Sequence, residues 1–198
     1  MKLKEIDLKK LKKDAQFLNI DKDASYIQAY REFLQYFKKL DVIEKHQFFI
    51  GAHFVYGWMP RMLNLNIQEL EEVLMLLNKA KESETLLSGQ ELEVLKNCIN
   101  HSMVGTSKLL HFINPKKYAI WDSRVLNYLN RLGYGWSIGN TENYLSYLDI
   151  VRDIVNNAGY EELHTLVENM CGYKIEPTRV IEMIMYETDR NGYVLEER

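Results

Sequence analysis

Apolar residues recur at three- and four-residue intervals through almost the whole chain, and no stretch alternates apolar and polar residues for long between turn residues. A three-to-four period puts apolar side chains on one face of a helix, whereas a half-buried strand needs a period of two. The pattern therefore predicts an all-α protein. The absence of any sustained heptad run predicts irregular helix packing rather than a long coiled coil.

Several elements are readable one by one. Asp23 or Ser25 is suited to cap a helix running to about Lys39, with Tyr26, Tyr30, Phe33, Leu34 and Phe37 on one face. A second helix from about Val42 to Tyr56 is apolar nearly all round, which predicts a central, buried element ended by Gly57 and Pro60. Asn66 to Lys81 is amphipathic, with Leu70, Val73, Leu74 and Leu77 inward and Glu71 and Glu72 outward. Ser88-Gly-Gln-Glu91 has the spacing of a capping box, followed by Leu92, Leu95 and Ile99. A tight turn is expected over Ser102–Gly105, then a helix ended by Pro115, then a short helix over Asp122–Leu132 stopped by Gly133. The stretch GYGWSIGN (133–140) is the most loop-like in the chain. Helices are expected at about Thr141–Asn157, Tyr160–Met170 and Pro177–Thr188, the last with proline at its first position.

Bulk properties narrow the function classes. A length of 198 residues with 46% hydrophobic and 27% charged residues describes an ordinary globular chain with a real core. The first ten residues, MKLKEIDLKK, lack the apolar stretch of a signal peptide, and the uncharged run Phe48 to Pro60 is too short to span a bilayer. Cys98 and Cys171 share no ligand spacing with each other or with histidines. They read as reduced, buried thiols of a cytoplasmic protein, with no metal expected. His46 and His53 lie seven apart on one helix, but no third ligand accompanies them.

A formal net charge of −3 argues against a general nucleic-acid coat protein. Its distribution is uneven, because residues 101–135 hold Lys108, Lys116, Lys117, Arg124 and Arg131 against the single acid Asp122. That window reads GTSKLLHFINPKKYAIWDSRV from Gly105 to Val125. Lys108 is expected in the first turn of its helix, where the helix dipole opposes its charge and lowers the amine pKa toward nucleophilic use. Asp122 is expected as an N-cap, fixed by backbone amides and able to stabilise a developing oxocarbenium ion. Tyr118, Trp121, Tyr134 and Trp136 are placed to stack on an extruded base, and Trp58 is a candidate lining residue of the same cleft. His111, on a short apolar helix, is read first as a hydrogen-bonded core histidine and second as a pocket residue.

Helix, glycine turn, helix with an early lysine, then a helix-start aspartate resembles the core of the helix-hairpin-helix DNA glycosylases, in particular the 8-oxoguanine glycosylase/lyase branch. The turn here reads SMVGTSK where the family's fuller pattern is L-P-G-V-G-x-K, and the likeness covers residues 102–131. The resemblance implies a single all-α domain over 1–198, with room for one lobe of about 1–87 plus the C-terminal helices and one hairpin region over 88–140. It implies that Val104, Gly105, Thr106 and Ser107 contact a DNA phosphate, with Lys116, Lys117 and Arg124 beside them. A monovalent cation at the hairpin would be the only cofactor. Lys108 becomes the nucleophile and Asp122 its assistant. Trp58, His111, Trp121 and Trp136 would line the base pocket. The activity implied is excision of an oxidised purine from double-stranded DNA, with strand nicking at the abasic site. Two rival readings stand beside it, a non-catalytic DNA-binding module that keeps the hairpin without the base pocket, and a helical protein-interaction module such as a phage-defence or toxin–antitoxin component.

Overall fold

A computed structural model describes residues 6–59 and 61–192. Pro60, read above as a helix stop, lies outside the described residues, as do residues 1–5 of the N-terminal stretch. The all-α expectation holds: the described residues form ten helices and no strand, with one isolated antiparallel bridge between Leu65 and Ile99. None of these helices is long and apolar enough to cross a membrane. The chain divides into two compact units, residues 23–118 and residues 1–22 with 119–198. The division falls inside the basic window, between Tyr118 and Ala119.

The 23–118 unit holds α2 (Ser25–Lys38), α3 (Lys45–Trp58), α4 (Leu70–Glu82), α5 (Gly89–Cys98) and α6 (Met103–Ile113). Helix α6 is its centre and packs on all four others. Every residue of α6 is buried except Val104 and Lys108, as expected of a helix surrounded by neighbours. The Ser88 capping box forms, with Ser88 Oγ accepting from the Glu91 amide and the Glu91 carboxylate accepting from the Ser88 amide. Leu92, Leu95 and Ile99 are buried as expected. Helix α4 buries Val73 and Leu77 and exposes Glu71 and Glu72, again as its pattern requires. It starts at Leu70 rather than Asn66, and the Asn66 amide donates to the Cys98 carbonyl at 2.9 Å. The N-cap position of α2 falls on Ala24, between the two candidates Asp23 and Ser25.

One correction concerns α3. Its apolar character predicted burial all round, yet its buried residues are Phe48, Gly51, Ala52, Val55 and Tyr56, which form a single side. His46 and His53 are exposed, Phe54 is 36% exposed, and Phe49 and Ile50 are half-buried. Composition described the helix; it did not say how many neighbours would cover it.

The second unit holds α1 (Leu8–Ala15), α7 (Ser123–Arg131), α8 (Thr141–Val155), α9 (Tyr160–Cys171) and α10 (Pro177–Arg190). Helix α10 is central here, packing chiefly on α7 and also on α1, α8 and α9. Helix α1 was not anticipated. Asp7 caps it by accepting from the Lys10 amide at 2.8 Å. Its buried Asp14 accepts from the Tyr128 hydroxyl at 2.6 Å and pairs with Lys10 at 3.1 Å. A buried carboxylate is tolerable only when so partnered.

Candidate functional site

The turn between α5 and α6 is Ile99–Ser102, three residues earlier than expected. Asn100 and His101 adopt the left-handed conformation, with φ of 54° and 49°. Asparagine is among the few side chains that adopt it readily. The Asn100 side chain also fixes the turn from outside, accepting from the Asn64 amide and donating to the Met62 carbonyl at 3.0 Å. Ser102 is the N-cap of α6. Its hydroxyl accepts from the Gly105 amide at 3.1 Å and its carbonyl from the Thr106 amide at 3.0 Å.

Val104, Gly105, Thr106 and Ser107 are therefore helical rather than a phosphate-facing turn, and the last three are buried. The Gly105 and Thr106 amides are already satisfied by Ser102. Gly105 has a packing reason to lack a side chain: a Cβ there would lie 2.3 Å from the Tyr56 hydroxyl oxygen. Ser107 donates its hydroxyl to the Val104 carbonyl at 3.0 Å, a local bond within the helix.

Lys108 falls in the second turn of α6, not the first, because the helix begins at Met103. It is half-buried, with its ammonium 5.5 Å from the centre of the Trp58 ring. An indole face attracts a cation, so this contact holds the ammonium against the Trp58 ring. Trp58 is held in turn by its ring N–H, which donates to the Tyr26 carbonyl at 2.9 Å. Its ring meets Phe112 edge-on at 5.4 Å.

His111 is fully buried, with both ring nitrogens engaged. Nδ1 lies 2.7 Å from the Tyr118 carbonyl oxygen and Nε2 lies 2.8 Å from the Tyr30 hydroxyl. A carbonyl only accepts, so Nδ1 carries a proton, and in the neutral ring Nε2 then accepts from the Tyr30 hydroxyl. His111 is a hydrogen-bonded core histidine. The Tyr118 hydroxyl accepts from the Leu87 amide at 3.0 Å, and burial pushes its pKa up to about 12.

In the other unit, Asp122 is the N-cap of α7, as expected. Its Oδ1 accepts from the Arg124 amide at 2.8 Å and the Val125 amide at 3.4 Å. Trp121 is fully buried, donating to the Ile138 carbonyl at 3.0 Å and packing on Tyr147 with ring centres 5.1 Å apart. Trp136 is half-buried against Tyr134, and its backbone exchanges two hydrogen bonds with the Asn130 side chain. Both tryptophans help fix the 133–140 loop. The fully buried ring of Trp121 is closed to stacking.

Three of the five cations of the basic window are paired with carboxylates within the fold. Lys117 donates to the Ser83 carbonyl at 2.6 Å and pairs with Glu84 at 3.1 Å. Arg124 and Arg131 converge on the buried Asp189 of α10, at 3.1 and 2.9 Å. Lys116 is exposed. Nothing local to the window points to Asp189, because the pairing joins residues far apart in the chain. Of the two residues assigned chemistry, Lys108 belongs to the 23–118 unit and Asp122 to the other.

An open depression of about 370 Å³ lies in the second unit, lined by Glu161, His164, Glu168, Lys174, Ile175, Glu176 and Pro177. None of the candidate site residues read from the sequence lines it. Among the described residues no group of three or more His, Cys, Asp or Glu side chains is arranged to hold a metal ion. Compared with protein-family models, curated proteins and solved structures, the chain shows no significant match.

Proposed function

We propose that this chain is a non-catalytic helical module that acts by binding a protein partner, in which the α5–α6 hairpin and the basic window serve the fold. The observation that carries this reading is the burial of His111 and Trp121 with their polar atoms bonded internally. A pocket for an extruded base needs aromatic faces and unsatisfied polar groups at its wall, and these two candidates offer neither. The pairing of Lys117, Arg124 and Arg131 with Glu84 and Asp189 adds support. Phosphate binding by those cations would compete with ion pairs already made.

A second reading keeps the damaged-purine glycosylase of the resemblance. One observation favours it: Asp122 is fixed by two α7 amides, as an electrostatic assistant would need to be.

Borohydride treatment of the protein mixed with duplexes carrying 8-oxoguanine, uracil or an abasic site separates the two. The binding-module reading expects no covalent adduct and no excised base. An adduct that disappears in Lys108→Gln would replace it with the glycosylase reading. Fluorescence anisotropy with the same duplexes tests the neighbouring possibility of a DNA-binding module. Tight, salt-dependent binding without chemistry would move the partner from protein to DNA.

A further inference from the structure

We propose that residues 61–69 form a free strand edge, along which a second copy of this chain pairs the same residues antiparallel about a twofold axis through Leu65. This goes beyond the functional reading above, since it rests on the backbone and charges of one connecting segment. That segment joins α3 to α4 and runs extended against the α5–α6 turn. The Met62 carbonyl accepts from the Asn100 side chain at 3.0 Å, and the Asn64 amide donates to the same side chain. The Asn66 amide donates to the Cys98 carbonyl at 2.9 Å. Every second residue therefore bonds inward, and strand alternation turns the backbone groups of Leu63, Leu65 and Ile67 the other way. Among the described residues, the amides of these three and the carbonyls of Leu63 and Leu65 make no hydrogen bond within the chain. Only Leu63 and Leu65 of residues 61–69 are half-buried, and the rest are exposed. A row of unpaired backbone groups at alternate residues is matched by another extended chain.

Charge complementarity selects the second copy as that chain. The segment reads RMLNLNIQE, and run antiparallel about Leu65 it matches itself. Arg61 falls opposite the second copy's Glu69 at one end, and Glu69 opposite the second copy's Arg61 at the other. Among the described residues neither Arg61 nor Glu69 has an ion-pair partner, so both charges are available across the axis. Glu71 and Glu72, in the first turn of α4, reinforce the negative end. Between the charges, Leu63 faces Ile67 and Leu65 faces its own counterpart, while Asn64 faces Asn66 on the opposite side of the pair. Apolar thus meets apolar and amide meets amide, the cross-strand pairs that stabilise a ladder. A slip of one residue would set leucine against asparagine throughout. In this register the two Leu65 residues exchange N–H···O bonds, and each Ile67 amide reaches the other copy's Leu63 carbonyl. Residue i then contacts j while j contacts i, the condition a closed twofold interface imposes.

So short an edge gives weak, concentration-dependent association. Sedimentation velocity of the full chain over about 1–200 μM should show a monomer passing to a dimer. Arg61→Glu and Glu69→Lys each turn the attraction at both ends into repulsion, and each should raise the dissociation constant at least about fivefold. Both positions are exposed and outside the helices, so circular dichroism should be unchanged. An equimolar mixture of the two variants should associate again, because each carries the charges the other lacks, and the double variant should recover self-association. Leu65→Pro removes the central amide donor and should leave a monomer across the whole range. Hydrogen exchange at the Leu65 and Ile67 amides should slow as the concentration of the natural chain rises. A monomer at every concentration, a dimer indifferent to the sign of these charges, a mixture no tighter than its parts, or slowed exchange at other amides in place of these would overturn the proposal.

Discussion

Gly105 separates two accounts of the window by its response to a single methyl group. As a turn glycine it would be needed for its backbone; as found, it is needed because Tyr56 occupies the space where its Cβ would be. The added carbon of Gly105→Ala would lie 2.3 Å from the tyrosine oxygen and 2.9 Å from two ring carbons. Overpacking of this kind costs about 1–3 kcal/mol. Replacing a helical glycine by alanine returns about 1 kcal/mol through propensity. The net expectation is a destabilisation of about 1 kcal/mol. Gly57→Ala, in a helix but with nothing within 4 Å, is the matched control and should stabilise by up to about 1 kcal/mol. Tyr56→Phe supplies the coupling. Ser102 is near enough to influence ionisation of the Tyr56 hydroxyl, yet that buried hydroxyl makes no hydrogen bond. Its removal should therefore cost little and should relieve Gly105→Ala by about 1 kcal/mol, since the closest contact is gone. Urea unfolding followed by circular dichroism reads all four proteins of the cycle. Stabilisation by Gly105→Ala in the natural background, or a coupling of zero, would refute the packing argument.

Other expectations follow from particular contacts. Asp189→Ala removes the shared partner of Arg124 and Arg131 and should destabilise the protein by about 1–2 kcal/mol, a modest figure because both arginines are partly solvated; urea midpoints measure it. Asp122→Ala should cost about 1 kcal/mol while Asp122→Asn costs much less, since asparagine still caps α7. Burial raises the Cys98 thiol from 9.0 to about 11 and the Tyr118 hydroxyl from 10.0 to about 12. Raised folded-state values mean that this stability is complete below about pH 9 and declines as pH rises through those of the folded state, so urea midpoints should fall between about pH 9 and 11 and hold steady from 7 to 8.5.

What could be read from the chain was local. The Ser88 capping box, the Asp122 N-cap and the proline start of α10 each depend on residues within one helical turn, and each appears as expected. Helix α1 escaped because its apolar residues Leu8, Leu11 and Ala15 stand among lysines, and because Asp14 is held by Tyr128 from far along the chain. Gly105 was misplaced for the same physical reason. A glycine beside small polar residues reads as a turn, and the ring that explains it comes from α3. The charge of the window was legible, but its neutralisation by Glu84 and Asp189 was not, since both partners come from outside it. The one-sided cover of α3 belongs to this class too. Sequence fixes which side chains are apolar, and packing decides how many of them find neighbours.

The claim that the window serves the fold is tested most directly at His111. Nitrogen NMR with two-bond couplings reports which imidazole nitrogen holds the proton. The Tyr118 carbonyl requires hydrogen on Nδ1, and full burial favours the neutral ring, in which a bare Nε2 accepts from Tyr30. The same signals should stay in place when a duplex containing an abasic site or 8-oxoguanine is added. Hydrogen on Nε2, a doubly protonated ring at neutral pH, or a shift produced by the lesion duplex would contradict the account and return His111 to the wall of a base pocket.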